Sequence, residues 1–390
     1  MQSKLHIVWR QFLVAVSIVS FVFPTVCFSQ SIDVWIGTTT PGNGLSRGVY
    51  HCQLNVATGR LTKPKMAVEL ANPGFVTLHP NGEILYATCQ INRRGAVAAF
   101  AIERKDGESI LKALSSVEIG DGGAAHLNVD RSGKCLLTAQ YGGGSVAMFP
   151  IADTGQLGER AVLIKHEGGS KVVGNRQDSP HAHWVGTDAN NHFAFVPDLG
   201  LDQVVIYKLN PDTLSLTAHG HGSSPPGGGP RHFKFHPNGR FAYVLNELAL
   251  SVTVFGYDAE GGRLTSLQTI PTLTESQKAG EEFNAASEIR VHPNGKFLYA
   301  ANRGHDSISV FRIHADTGKL RLSEVEPIRG SWPRNFNVDP TGRWLIAAGR
   351  DSNTLSLFSI DQQTGMLQYQ RHSVFCPTPI CVTFGGVAKN

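Results

Sequence analysis

The sequence lacks the short motifs that would assign it to a common enzyme class. It contains no phosphate-binding loop and no dinucleotide-binding fingerprint. These absences argue against a nucleotide-dependent enzyme and a dinucleotide-dependent oxidoreductase. No cofactor is therefore expected, and any chemistry has to come from the side chains of the chain itself.

Cysteine is sparse, and its number does not suit a cross-linked framework. Of the 6 cysteines, Cys27 lies near the N-terminus, and the others form an odd set without a C-x-x-C pair: Cys52, Cys89, Cys135, Cys376 and Cys381. Neither a zinc site nor a disulfide framework is indicated. Cys376 and Cys381 could form one bridge, but most of these residues are expected to be small buried hydrophobes.

Charge is modest and scattered. Charged residues make up 17% of the chain, the net charge is +4, and long runs of Lys and Arg do not occur. Nucleic acid is therefore not an expected partner. The hydrophobic fraction of 41% is typical of a globular protein rather than a disordered one.

The first thirty residues resemble a secretory signal peptide. Lys4 and Arg10 precede an apolar stretch at residues 12–23, and Cys27 and Ser29 offer small residues for cleavage. The stretch is short for a membrane span, which needs about 20 residues, although an uncleaved anchor and a lipid-modified Cys27 are alternatives. We expect a signal peptide at residues 1–30, a single domain at 31–390, a secreted or periplasmic location and no stable membrane insertion after cleavage.

A turn motif recurs along the rest of the chain. It occurs at His79-Pro80-Asn81-Gly82, Asp130-Arg131-Ser132-Gly133, residues 187–191, His236-Pro237-Asn238-Gly239, His292-Pro293-Asn294-Gly295 and Asp339-Pro340-Thr341-Gly342. Alternating apolar residues flank each turn, and Asn-Gly between such runs is a strong hairpin signal. Four short strands in each unit of about 50 residues are typical of propeller blades. The sequence predicts an all-β propeller with four antiparallel strands per blade.

The chain ends complete the ring. Six turns account for six blades, while residues 378–384 resemble an innermost strand, and residues 34–38 and 48–54 resemble second and third strands. An open ring would expose an unpaired strand edge. We therefore expect seven blades, with N- and C-terminal strands sharing the last one.

Charged residues recur at one register of this repeat. The start of each inner strand and the end of the next strand meet at one mouth of the central channel. The residues eight positions before or after the turn glycine, with Asn191 taken as the turn residue of the third blade, include His183, Arg231, Glu247, Arg303 and Arg334. His181, His232, Asn246 and Asn302 flank them, and the long polar loop at 168–180 could close over the mouth with Lys171 and Arg176.

Three interpretations of this mouth remain open. The excess of arginine favours a small anionic ligand, whereas ion pairs that only hold neighbouring blades together are the plainer alternative. His181 and His183, two residues apart, could also bind a metal with Glu247. The surrounding arginines would repel a dication, so no metal is expected.

Several of these segments resemble a known family. The segments Arg176-Gln177, Pro180-His181-Ala182-His183, Gly229-Pro230-Arg231-His232-Phe233, Leu245-Asn246-Glu247-Leu248 and Ala301-Asn302-Arg303 are similar to motifs of the lactonase-type propellers. That family contains propeller 6-phosphogluconolactonases and carboxy-cis,cis-muconate cycloisomerases. The resemblance implies that His183, Arg231, Glu247 and Arg303 are the catalytic residues.

The expected function is therefore hydrolysis of a sugar lactone or related lactone at the channel mouth, a reaction of carbohydrate metabolism. His183 or Glu247 would transfer protons, and Arg231 and Arg303 would hold an anionic group or stabilise the oxyanion. The expected substrate-binding residues are His181, Arg176, His232, Asn246, Asn302 and Arg334. A cycloisomerase and a non-catalytic exported binding protein are the alternatives.

Overall fold

A computed structural model describes residues 31–40, 44–105 and 108–385. The expected signal peptide, residues 1–30, lies outside the described residues and stays a prediction. Within the described part of the chain, no helix is long and apolar enough to cross a membrane. The helix α1 (Glu275–Ala279) is a single turn whose N-terminus is capped by Thr274, and nearly everything else is strand or turn.

The strands pair antiparallel in seven sheets, which form the blades of a ring. The N-terminal strands are β1 (Ser31–Thr38), β2 (Gly48–Asn55), β3 (Arg60–Leu61) and β4 (Lys65–Glu69). Blade 1 contains β5 (Val76–Leu78), β6 (Ile84–Ile91), β7 (Arg94–Lys105) and β8 (Glu108–Glu118). Blade 2 contains β9 (Ala124–Val129), β10 (Cys135–Gln140), β11 (Ser145–Pro150) and β12 (Val162–Lys165). Blade 3 contains β13 (Gly186–Thr187), β14 (Phe193–Asp198), β15 (Gln203–Asn210) and β16 (Ser215–Ser223).

The second half of the ring repeats the pattern. Blade 4 contains β17 (Pro230–Phe235), β18 (Phe241–Asn246), β19 (Ser251–Asp258) and β20 (Arg263–Pro271). Blade 5 contains β21 (Ala285–Val291), β22 (Phe297–Arg303), β23 (Ser307–Ile313) and β24 (Leu320–Pro327). Blade 6 contains β25 (Pro333–Val338), β26 (Trp344–Gly349), β27 (Thr354–Ile360) and β28 (Leu367–Phe375), and the last strand is β29 (Pro379–Phe384).

Blade 7 joins the two ends of the chain, as the sequence predicts. The C-terminal strand β29 is its inner strand and pairs with β1, where Ile36 faces Val382, and β1 pairs in turn with β2. The outer edge of β2 is covered by β3 and β4. The prediction of seven blades closed by both termini is confirmed.

Apolar side chains fill the interfaces between successive blades, and buried polar groups connect them. The hydroxyl of Tyr86 donates to the carbonyl oxygen of Gly155 in the next blade over 3.0 Å, and Tyr243 and Tyr299 repeat this contact with Gly318 and Gly365. Such a hydrogen bond satisfies a hydroxyl that would be costly to bury alone.

The five cysteines of the described residues are all buried and free. Burial raises the pKa of Cys89 to about 12 and the pKa of Cys381 to about 11, so these thiols are unreactive at neutral pH. The expectation that most cysteines are small buried hydrophobes is confirmed.

Several inner strands carry a β-bulge close to the charged mouth. The pairing register shifts between Pro230 and His232 in β17 and between Pro333 and Asn335 in β25. A bulge adds one residue to a strand and turns its side chain out of the regular alternation. Arg231 and Arg334 are these additional residues, so Arg231 and the next residue, His232, can both face the channel.

Candidate active site

Three of the four residues predicted as catalytic form one ion-paired cluster. Arg231 lies in the bulge of β17, Glu247 directly follows β18, and Arg303 ends β22, so blades 4 and 5 present them at one mouth of the channel. Oε2 of Glu247 lies 2.8 Å from Nε of Arg231 and 3.1 Å from Nη2 of Arg303. All three residues are buried: the exposed fraction is 2% for Arg231 and 5% for the other two.

Backbone carbonyl groups fix the two arginines from behind. Arg231 donates a hydrogen bond to the carbonyl oxygen of Ser287, and Nη2 of Arg303 donates to the carbonyl oxygen of Ala286 over 2.9 Å. Both acceptors belong to β21 of blade 5. The inner strand of one blade therefore orients guanidinium groups from two blades.

Arg176 reaches the cluster from the long loop before blade 3. Its Nη2 donates to Oε1 of Glu247 over 2.8 Å and lies 3.3 Å from the hydroxyl of Tyr141. The neighbouring Gln177 is fully buried and donates to the carbonyl oxygen of Leu199 and to Oδ1 of Asp202. The loop therefore holds Arg176 over the mouth as the sequence suggested, whereas Lys171 is exposed.

Glu247 is an ionised carboxylate that pairs with these three arginines. Although burial alone would raise its pKa, the guanidinium groups of Arg303 and Arg231 hold the pKa of Glu247 well below its usual range. A carboxylate paired with three guanidinium groups is a weak proton acceptor. Its part is to hold the arginines together rather than to take a proton from water.

His183, the fourth predicted catalytic residue, lies beside this cluster. Burial and the nearby Arg231 charge lower the pKa of His183 well below its ordinary value, so the ring is neutral at neutral pH. Its ring centroid lies 5.4 Å from that of Tyr141 and 5.3 Å from that of His232. The four residues predicted to converge are thus brought together at one mouth.

His181 lies on the outer side of the same mouth and stacks on Tyr141. The two ring centroids are 4.4 Å apart, and Nδ1 of His181 lies 2.8 Å from the backbone oxygen of Tyr141. The strand β13 begins after this segment, and Ala182 forms an isolated bridge to Asp198. Pro180 has no N–H to donate, and the N–H of His181 is taken by the Asp198 carboxylate.

His232 lies deeper in the channel. Its Nδ1 is 3.0 Å from Oε1 of Glu288, whose other oxygen accepts from the amide of Asn335. Burial, reinforced by Arg231 and Lys234, lowers the pKa of His232 well below its ordinary value. His232 therefore belongs to a buried polar layer below the mouth, and its predicted contact with substrate stays untested.

The other three predicted substrate-binding residues differ in their surroundings. The amide nitrogens of Asn246 and Asn302 donate to hydroxyl groups on the adjacent strands β19 and β23, so both residues support the turns behind the mouth. Arg334 forms no ion pair or hydrogen bond with its side chain in the described parts of the chain. It is a half-buried guanidinium left available beside Arg303.

Tyr141 was not predicted as a site residue, although it contacts Arg176, His181 and His183. It stands eight residues after the turn glycine Gly133, so it shares the register that identified Glu247. An aromatic residue carries no charge, so the pattern of charged residues at this register does not include it.

The ion-pair and metal interpretations of the mouth concern the same residues. Glu247 of blade 4 is paired with Arg303 of blade 5 and with the loop before blade 3, so the cluster does connect blades as well as forming a mouth. Over the residues that the structure describes, no group of three or more His, Cys, Asp or Glu is placed to hold a metal ion.

Comparison with known proteins points to one family. A family model described as a seven-bladed β-propeller lactonase matches residues 33–384. The chain is 35% identical to the 6-phosphogluconolactonase of Bacillus subtilis (strain 168) over 302 residues, which is 77% of this chain and 83% of the relative. It is 34% identical to the 6-phosphogluconolactonase of Formosa agariphila over 298 residues, 75% of this chain and 82% of that one.

A solved structure of similar fold supports the same grouping. The periplasmic gluconolactonase of Pseudomonas aeruginosa superposes with a TM-score of 0.83 at 28% sequence identity. The alignment covers 92% of this chain and 100% of that protein. The similarity therefore extends over the whole ring and is not limited to a few blades.

Proposed function

Because this chain belongs to the lactonase family of seven-bladed β-propellers, we propose that it is a hydrolase that opens the lactone ring of a sugar acid at the channel mouth formed by blades 3 to 6. The family resemblance read from the sequence is confirmed. The relatives named 6-phosphogluconolactonase and gluconolactonase act on sugar lactones, as their names state.

The observation that carries the proposal is the charge balance of the mouth. Arg176, Arg231 and Arg303 surround the single carboxylate of Glu247, and Arg334 adds a fourth guanidinium. His183 is neutral and does not change this charge balance. The mouth therefore carries a surplus of positive charge, which favours an anionic substrate and the oxyanion that forms when water attacks a lactone carbonyl.

The reaction follows from these groups. Water adds to the carbonyl carbon of the lactone, the carbonyl oxygen becomes an oxyanion, and guanidinium donors stabilise it through charge-assisted hydrogen bonds. The ring C–O bond then breaks, and the ring oxygen leaves as a hydroxyl after taking a proton. Since Glu247 is held as an ion-paired carboxylate, proton transfer belongs to a histidine of the mouth.

Arg176 controls entry to the site. It contacts Glu247 from above, and its side chain is 34% exposed, so a substrate has to share or replace this contact as it binds. An anionic substituent on the lactone can offer Arg176 a new partner. Entry would then cost little, because one charge-assisted contact replaces another.

A panel of lactones tests this function. Gluconolactone, 6-phosphogluconolactone, a uronic-acid lactone and a muconolactone are incubated with the protein, and acid release is measured against matched buffer that reports spontaneous hydrolysis. We expect acid release above the control for a sugar lactone with an anionic group. Conversion of the muconolactone to an unsaturated acid, without hydrolysis of any sugar lactone, would indicate the cycloisomerase instead.

We also propose that the protein is exported. Lys4, Arg10 and the apolar residues 12–23 support a signal peptide, and the similar gluconolactonase of Pseudomonas aeruginosa is periplasmic by its name. Mass spectrometry of the native protein should find a mature N-terminus near Gln30. A cytosolic protein that begins at Met1 would contradict export and leave the lactonase proposal intact.

A further inference from the structure

The two histidines of the mouth differ in which ring nitrogen carries the proton. Nδ1 of His181 lies 2.8 Å from the backbone oxygen of Tyr141. A carbonyl oxygen only accepts hydrogen bonds, so Nδ1 carries the proton of the neutral ring. Nε2 of His181 is therefore left with its lone pair, which is the form that a general base requires.

His183 is in the other tautomer, with its proton on Nε2. Its Nδ1 is fully buried and has no hydrogen-bond partner among the described residues, and only 5% of the residue is exposed. A buried N–H without a partner is rarer and more costly than a buried lone pair. Nδ1 therefore keeps the lone pair, and the proton sits on Nε2, the remaining nitrogen, which can face the mouth.

Tyr141 contacts the rings of both His181 and His183. It stacks on His181, meets the ring of His183 edge-on at 5.4 Å, and places its hydroxyl 3.3 Å from Arg176, which is bound to Glu247. The backbone of His181 is fixed by a 2.7 Å hydrogen bond to Asp198. Both histidines are thus held in place around the guanidinium cluster.

From these contacts we infer that His181, and not His183, is the general base, and that His183 is a hydrogen-bond donor to the oxyanion. The inference rests on the proposed lactonase function. Water loses a proton to Nε2 of His181 as its oxygen bonds to the carbonyl carbon, and the carbonyl electron pair moves onto the oxygen. The oxyanion is held by Nε2–H of His183 together with Arg231 and Arg303.

Collapse of the tetrahedral intermediate completes the reaction. The carbonyl re-forms, the ring C–O bond breaks, and the proton on Nε2 of His181 passes to the departing ring oxygen. The product is the open hydroxy acid, and His181 returns to its neutral form. Nδ1–H stays bonded to the Tyr141 carbonyl throughout, so the hydrogen bond that orients the ring also stabilises its charged form.

Two amide substitutions separate the roles. In His181→Asn, the side-chain amide can replace Nδ1–H and keep the bond to the Tyr141 carbonyl, but nothing replaces Nε2. In His183→Gln, the amide N–H can take the position of Nε2–H. His221→Gln on the exposed face of β16 is the matched control, and it should hydrolyse lactone at the wild-type rate.

The readout is the pH dependence of kcat/KM with the best lactone of the panel. We expect the activity of the wild type to fall at acidic pH, because protonation of the general base removes its lone pair. H181N should lose about 10²–10⁴-fold in kcat together with this acid-side fall in activity, whereas H183Q should keep the acid-side fall and lose less rate. Added imidazole should partly restore H181G and should not restore H183G.

An H181N enzyme that keeps the acid-side fall in activity overturns the assignment, as does a wild-type enzyme without one. Should H181N fail to fold, judged by circular dichroism, H181Q is measured in its place with the same criteria. If the lactonase proposal itself is wrong, the wild-type protein will hydrolyse no lactone of the panel, and this result differs from both outcomes above.

Discussion

Glu247 and Arg334 show how the site divides its arginines between structure and binding. Arg231 and Arg303 are buried against Glu247, and each has a carbonyl acceptor on blade 5. Removing one partner of a buried ion pair typically costs about 3–5 kcal/mol, because the other charge stays buried. Loss of activity on substitution of Arg231 or Glu247 would therefore combine lost catalysis with lost stability, whereas Arg334 has no such partner among the residues that the structure describes.

Arg334 is for this reason the arginine whose substitution reports on substrate binding alone. Burial, with the neighbouring Arg303 charge, lowers the pKa of Arg334 to about 10, and the group stays charged at neutral pH. In Arg334→Gln, we expect KM for an anionic lactone to rise about 10- to 100-fold, the size of one hydrogen bond to a charged group. The melting temperature should stay the same or rise, because repulsion of Arg303 is relieved.

Steady-state kinetics at two salt concentrations check this expectation, since added salt should reduce the difference in KM between wild type and variant. The control is Arg321→Gln, an exposed arginine on β24 of blade 5. A lower melting temperature with an unchanged KM would assign Arg334 to the stability of the ring instead.

At the scale of the elements, the turn between the first two strands of a blade lies at the end away from the charged mouth. These turns connect each blade to the next one. In three of them, Nε2 of the histidine contacts the carbonyl oxygen of the glycine in the following turn: His79 to Gly133, His236 to Gly295 and His292 to Gly342. Nδ1 of each ring accepts the N–H two residues later. Gly342 has a positive φ of 71°, and a Cβ there would lie 2.5 Å from the His292 ring, which explains the glycine.

These turns also show what the sequence could predict. The Asn-Gly and Ser-Gly turns, the alternating strands and the complementary ends are local signals, and they predict the seven blades correctly. The register of eight residues then brings His183, Arg231, Glu247 and Arg303 to one mouth, because each blade repeats the same geometry.

The remaining features depend on contacts between distant segments. The bulge that turns Arg231 into the channel, the position of Arg176 over Glu247 and the proton on Nδ1 of His181 all follow from tertiary packing. None of them has a pattern of fixed spacing, so sequence reasoning could name Arg176 and His181 but could not say what each of them contacts.

His292→Ala tests the connection between turns. His292 is 1% exposed, and its loss leaves the carbonyl oxygen of Gly342 without its partner and a space beside the turn. We expect the free energy of unfolding to fall by about 2–3 kcal/mol, with kcat and KM unchanged because the mouth lies at the other end of the strands. Urea unfolding measures the difference, and His221→Ala on the exposed face of β16 should be neutral. A stability equal to wild type would mean that the contact contributes nothing to the ring.

At the scale of the whole molecule, the stability of the ring depends on how its ends are joined. Blade 7 is built from both termini, and a buried polar network connects it to blade 1. Asp33 of β1 is 2.8 Å from Nε2 of His51 and 3.0 Å from Nη2 of Arg104, and it accepts a hydrogen bond from Ser109 over 3.3 Å. Arg104 and Ser109 belong to β7 and β8 of blade 1, so one carboxylate joins the closing blade to its neighbour.

Asp33→Asn should weaken this joint in a way that depends on pH. Burial alone would raise the pKa of Asp33, but the hydrogen bonds from His51 and Arg104 prevail and lower it from 3.8 to about 2. A carboxyl group whose pKa is lower in the folded state stabilises the protein fully above its unfolded pKa, and this contribution disappears as the pH falls through the folded pKa. The wild-type protein should therefore exceed the variant by on the order of 2 kcal/mol at pH 5–7, and the difference should shrink between about pH 4 and pH 2. Urea unfolding across this range measures it, with Asp153→Asn, an exposed aspartate of blade 2, as the control that should show no such change. A difference that stays constant with pH would show that the Asp33 side chain acts through its shape and packing, and that its charge does not hold the closing blade in place.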